Sequence, residues 1–216
     1  MFAWELLTFI GTVAFAMSGS MSAMEEEYDI LGVYALGLVT AFGGGILRNL
    51  VIDAPTRSLW EQGDLLVTAL VASSVVYFAP RLWANHVQKW VFFDAVGLAA
   101  FAIQGALLAA QKGLPMPAVV IAALLTGCGG GVVRDILARR KPLVFREEVY
   151  GVWAMLGGLV VALGFGGDGW QSYVLFAGLL GLRMWSVKKG WQLPKRSFRG
   201  GGLPALADRD TQQIAN

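Results

Sequence analysis

Seven apolar runs, most of them about twenty residues long, fill this chain and limit its fold more than any other feature. A helix rising 1.5 Å per residue needs about twenty residues to cross the roughly 30 Å hydrocarbon layer of a bilayer. The runs are Phe2–Ser22, Ile30–Ile52, Leu65–Trp83, Trp90–Ala110, Ala118–Ala138, Val149–Phe165 and Gln171–Val187. Composition agrees: 56% of the 216 residues are hydrophobic and only 15% charged, against roughly 25% charged in soluble domains. The mean hydropathy is +0.59. The expected fold class is an all-α integral membrane protein with seven transmembrane helices. Residues 1–187 form the membrane domain, and 188–216 are read as a basic, flexible cytoplasmic tail.

Basic residues set the expected orientation. With the N-terminus outside, Arg81, Lys89, Arg139, Arg140, Lys141, Arg146, Lys188, Lys189, Lys195, Arg196 and Arg199 fall inside, and only Arg57 and Lys112 fall outside. The acidic Glu25–Glu27 loop then lies inside, which the rule tolerates because acidic residues weigh little in it. This places the N-terminus outside and the C-terminus in the cytoplasm. Trp4, Trp60, Trp83, Trp90, Trp170 and Trp185 near the run ends read as an interfacial aromatic belt.

The chain also repeats itself. Gly43-Gly44-Gly45 recurs as Gly129-Gly130-Gly131, an offset of 129 − 43 = 86. At that offset Thr40 matches Thr126, Arg48 matches Arg134, Gly11 matches Gly97, and Ala14-Phe15-Ala16 matches Ala100-Phe101-Ala102. Each copy holds three spans, repeat 1 over about 1–85 and repeat 2 over about 86–166, with the seventh helix left over at 171–187. An odd span number makes the second copy enter from the opposite side, so the halves are expected to be inverted repeats.

The triglycines are candidate hinges. Glycine costs roughly 0.8–1 kcal/mol relative to alanine in a helix interior. The second and fifth helices are therefore expected to kink or break there, exposing main-chain dipoles along a hydrated passage. Close helix packing through small residues is the competing use; the symmetric pair of motifs favours the passage. Arg48 and Arg134 are candidate gating charges, because arginine at depth costs at least ~2.5 kcal/mol and faces the interior or snorkels. Asp94 is the expected partner of Arg134, and Glu5 of Arg48. Asp135 adjoins Arg134, but helix neighbours do not face each other. Thr40 and Thr126 are candidate pore-lining groups, and Ser18 and Gln104, likewise mates at the same offset, are candidate path groups; hydrogen bonding between helices is the commoner use of such residues. The lone His86 and lone Cys128 exclude multi-histidine and cysteine-pair metal sites. No nucleophile–base set and no nucleic-acid motif is present, so neither an enzyme nor a cofactor is expected.

Thr40-Ala41-Phe42-Gly43-Gly44-Gly45-Ile46-Leu47-Arg48 and Thr126-Gly127-Cys128-Gly129-Gly130-Gly131-Val132-Val133-Arg134-Asp135 resemble the prokaryotic branch of the trimeric intracellular cation (TRIC) channel family over roughly residues 4–187. The resemblance implies a homotrimer with one pore per subunit, lined by the second and fifth helices and conducting monovalent cations, chiefly potassium. It also implies placement in the cell (inner) membrane. Basic residues beside a cation path raise a barrier, so Arg48 and Arg134 are expected either to be neutralised by carboxylates such as Asp135 and Asp94 or to move aside when the pore opens. Asn49 stands where the second copy has Asp135, so a carboxylate role belongs to one half. Anionic lipid is a candidate partner of the C-terminal basic segment. Bacterial relatives also carry the label glycine transporter. The alternative function is therefore a secondary transporter of a small amino acid such as glycine.

Overall fold

A computed structural model describes residues 2–55, 62–82, 89–146, 149–167 and 169–191. Trp60, Trp83, His86, Arg57 and the expected tail beyond 191 lie outside the described residues. The long helices are α1 (Phe2–Glu25), α2 (Ile30–Val51), α3 (Gly63–Phe78), α4 (Lys89–Gln111), α5 (Met116–Leu137), α6 (Tyr150–Ala162) and α7 (Trp170–Lys189). Among the described residues, a 3₁₀ turn at Pro80–Leu82 and a single helical turn at Leu143–Arg146 are the remaining helical segments. Among these, α1, α2, α4 and α5 are long and apolar enough to cross a membrane, whereas α3 and α6 are shorter apolar helices.

Local chemistry explains the boundaries. Asp29 caps α2 by accepting from the Gly32 amide at 2.8 Å, as a short acceptor ahead of an apolar run should. The third run stops at Phe78 rather than Trp83, because Pro80 has no amide hydrogen to continue the helix. Pro117 sits inside the first turn of α5, where a missing amide costs nothing.

The helix ends repeat as the sequence does. After α1, Glu27 has φ 57°, and its mate after α4, Gly113, has φ 70°. After α2, Asp53 has φ 50°, and its mate after α5, Arg139, has φ 56°. The closing bonds correspond too: Tyr28 N to Ala23 O matches Leu114 N to Ala109 O, and Ala54 N to Asn49 O matches Arg140 N to Asp135 O. These left-handed terminations satisfy carbonyls that a helix end otherwise leaves open.

At the centre α1 packs on α4 and α2 on α5. The Ser18 hydroxyl, late in α1, donates to the Trp90 carbonyl at the start of α4. The Gln104 amide, late in α4, donates to the Trp4 carbonyl at the start of α1. The two helices therefore run antiparallel, with Phe15 and Phe101 in edge contact between them, centroids 5.2 Å apart. Helices α3 and α6 pack against α1 and α4 respectively, and α7 lies against α4 and α6.

The triglycines do not break their helices: α2 and α5 are each continuous α-helix through them, so separate half-helices do not form. The glycines are instead the crossing point of α2 and α5. A Cβ on Gly44 would collide with the Thr126 carbonyl oxygen, and one on Gly130 with the Thr40 carbonyl oxygen. Absent side chains let two backbones approach closely, and the packing gained there offsets a poor helix propensity.

Candidate functional site

Five charged side chains are buried among the described residues: Arg48, Asp94, Arg134, Asp135 and Arg183. They divide unevenly between the two ends of the α1/α2/α4/α5 bundle. Burying an isolated charge is costly unless it is paired or hydrated, so the partners of each show what that end can do.

At one end Arg134, on the last turns of α5, is 0% exposed. Its Nη1 meets Asp94 Oδ1 of α4 at 2.6 Å and donates to the Ser18 hydroxyl of α1 at 2.7 Å. Its Nε and Nη2 both reach Asp135 Oδ1 at 2.9 Å. The other Asp135 oxygen accepts from the Leu143 amide at 2.9 Å, tying the cluster to the chain that follows α5. The guanidinium lies 5.1 Å from the Trp90 ring centroid. Trp90 thus faces the interior rather than serving only as a belt residue.

The expected Asp94–Arg134 pair is therefore present. Asp135, which adjacency alone did not guarantee as a partner, also pairs with Arg134. The side chain of Arg134 is long enough to fold back over its neighbour where both are denied water. Two further groups were not foreseen. Tyr150, at the start of α6, is 1% exposed, and Arg183 of α7, also 1% exposed, lies 4.7 Å from its ring centroid. A Cβ on Gly131 would stand 3.0 Å from the Tyr150 hydroxyl and 3.4 Å from Asp94 Oδ1, so the third glycine of the second motif makes room for this cluster. The only sequence signal for Arg183 was an arginine inside an apolar run.

At the other end Arg48 is 8% exposed. Its Nε and Nη2 donate to Asn49 Oδ1 at 2.9 and 2.7 Å, the neutral counterpart of the Asp135 contact. Asn49 donates onward to the Pro55 carbonyl at 3.1 Å. Glu5 is exposed and forms no ion pair with Arg48, so that expected pairing is not made. A cavity of about 60 Å³ opens here, lined by Arg48 together with Trp4, Thr8, Thr12, Gln104, Gly45 and Thr126 among others. Gln104 donates to Thr8 Oγ1 as well as to the Trp4 carbonyl. Thr40 and Thr126 each donate to the carbonyl four residues back, Leu36 and Ala122, at 2.6 Å. Of these path candidates, Gln104 and Thr126 border the cavity, while Ser18 is taken up by the Arg134 cluster.

The loops reinforce each end. Arg140 Nε meets Glu26 Oε1 at 2.5 Å and its Nη1 meets Glu25 Oε2 at 2.9 Å. Partial burial alone would lower the Arg140 pKa, but the hydrogen bonds and charges of Glu25 and Glu26 more than offset this and raise it. At the opposite end Lys112 Nζ donates to the Asp53 carbonyl at 2.9 Å. No group of histidine, cysteine or carboxylate side chains suited to a metal ion occurs among the described residues.

Two antiparallel helix pairs crossing at glycines, with buried arginines at both ends, define an all-helical membrane protein of the TRIC channel fold. A prokaryotic TRIC channel crystallised in 0.5 M KCl superposes with a TM-score of 0.81 at 34% identity, covering 88% of this chain and 98% of that one. A second solved structure, from work on conductance through TRIC cation channels, gives 0.79 at 35% identity, covering 89% and 97%. The UPF0126 membrane protein YvgT of Bacillus subtilis is 57% identical over 198 residues, covering 91% of this chain and 98% of the relative. The inner membrane protein YadS of Escherichia coli is 38% identical over 164 residues, covering 74% and 77%. A family model described as Glycine transporter matches residues 5–81 and 91–165. The chain belongs to that family, and its solved structural neighbours are TRIC channels.

Proposed function

We propose that the protein is a cation channel, not an enzyme, conducting chiefly potassium as a homotrimer with one passage through each subunit. The passage runs between α1, α2, α4 and α5. It enters at the Arg48 cavity, narrows at the α2–α5 glycine crossing, and is closed at the far end by the Arg134 cluster. The observation that carries this reading is the cavity beside Arg48, bordered by Gly45 of the first triglycine, within a fold whose solved neighbours are named cation channels.

Seven membrane crossings follow if α3, α6 and α7 also span, with the N-terminus outside and two inverted repeats related by 86 residues. The antiparallel α1/α4 contacts and the matched helix terminations support that arrangement. Opening requires the Arg134 cluster to move aside, because its interlocked, fully buried side chains fill this end of the passage. A charge moving through the full field contributes ~2.3 kcal/mol per 100 mV, so open probability should depend on voltage. Anionic lipid at the Lys188–Arg199 segment belongs to the same proposal.

The second reading, a carrier of a small amino acid, is favoured by the description of the matching family model. Recording the purified protein in planar bilayers under a potassium gradient, alongside glycine counterflow in liposomes, separates the two. Unitary currents that reverse near the potassium potential support the channel. Saturable counterflow without unitary events supports the carrier and rejects the channel.

A further inference from the structure

The offset of 86 that places Arg48 opposite Arg134 also places Thr8 opposite Asp94 and Asn49 opposite Asp135. Arg134 keeps both of its carboxylates. Arg48 has neither: its hydrogen bonds go to the neutral Asn49 amide oxygen. The space beside Arg48 is the cavity of about 60 Å³, and Arg48 is the one charged residue among the described residues that line it. A water needs roughly 10–15 Å³ of such space. The cavity therefore has room for about four waters, or for a ligand of four or five non-hydrogen atoms. Thr12, itself 1% exposed, adds a hydroxyl to the lining, and Gln104 and Thr8 add an amide and a second hydroxyl. A guanidinium presents paired N–H donors that match the two oxygens of a carboxylate. Within low-dielectric walls it attracts an anion far more strongly than it would in water.

We propose that the Arg48 cavity is a binding site for a small carboxylate of acetate or glycine size, which takes the part beside Arg48 that Asp94 takes beside Arg134. Binding itself does not depend on the channel reading; its consequence does. A bound carboxylate neutralises Arg48 and lowers the barrier that this end presents to an entering cation.

The test is calorimetric titration of the purified full-length protein in detergent at fixed ionic strength. The probes are sodium acetate, glycine, glycinamide and sodium chloride. Saturable acetate binding that falls at least tenfold in R48Q, and equally in N49D, supports the proposal. N49D guards against misfolding, because it installs the residue that the second repeat carries at the same place. Glycine binding as acetate does extends the site to amino acids and supports it further. Glycinamide binding as tightly as glycine would show that the carboxylate is not what is recognised, and would overturn it. Chloride binding as tightly as acetate would overturn it too, as would unchanged binding in R48Q and N49D. Glu61 lies outside the described residues; binding seen only in E61Q would assign the site to the chain's own carboxylate and end the proposal. In bilayers, acetate added on the Arg48 side should raise unit conductance in wild type and not in N49D. Absence of currents under every condition would count against the channel reading alone and leave the binding result standing.

Discussion

The Arg134 end and the Arg48 end occupy equivalent places in the two repeats, yet one is a closed ionic cluster and the other an open polar cavity. Their backbones match in helix terminations, in the glycine crossing, and in the hydrogen bonds from Ser18 and Gln104 to the Trp90 and Trp4 carbonyls. Among the carboxylates they differ at two places, Asp94 against Thr8 and Asp135 against Asn49; Ser18 against Gln104 is a further, neutral difference, and Arg183 from α7 has no counterpart in the first repeat. A duplicated backbone thus fixes where a guanidinium goes, and the neighbouring side chains decide whether it is locked or available. One end is suited to act as a gate, the other as an entrance.

The largest expected effect comes from removing a carboxylate at the locked end. D94A leaves Arg134 buried with a single acidic partner, and breaking such a pair costs about 3–5 kcal/mol. T8A, at the equivalent place in the other half, removes only neutral hydrogen bonds worth about 1 kcal/mol each. Thermal unfolding in detergent compares the two; equal losses would mean that the halves do not differ as described.

The glycine crossing comes next. G130A drives a methyl group into the Thr40 carbonyl oxygen and should destabilise by about 1–3 kcal/mol, the usual cost of overpacking. G43A meets its nearest neighbours at 3.8 Å, an ordinary contact. It should be neutral, or stabilising by up to about 1 kcal/mol through helix propensity. If G43A proved as harmful as G130A, the glycines would be needed for flexibility and the hinge reading would return.

N49D removes half of the difference by giving Arg48 its own carboxylate. A charge-assisted hydrogen bond exceeds a neutral one, so a gain of about 1 kcal/mol in the same unfolding assay is expected. Single-channel conductance should rise along with it. The smallest effect belongs to the loop bridge: E25Q with E26Q should cost under about 1 kcal/mol, since partly exposed pairs contribute little. That loss should shrink further in high salt.

Much of this architecture is legible in the chain. The apolar runs give the helices to within a few residues, except where Pro80 ends α3 early. The 86-residue offset gives the repeat, and the equal depth of Asp94 and Arg134 gives their pairing. The role of Gly43–Gly45 and Gly129–Gly131 is not legible, because a glycine run weakens a helix and admits a close neighbour equally well. The contact between Arg134 and Asp135 escapes helix-surface rules, which describe side chains free to point into water. Arg183 and Tyr150 enter the cluster through a fold-back of α6 and α7 that no local pattern encodes.

What the sequence by itself determined is therefore a helical membrane protein duplicated about its glycines, since hydropathy and repetition are properties of one dimension. What only the tertiary structure decided is that those glycines form the α2–α5 crossing, and that Arg134 is caged while Arg48 faces a cavity. The reason is physical: the energy of a buried charge or of a missing side chain depends on which atoms lie across the gap, and those atoms come from distant parts of the chain.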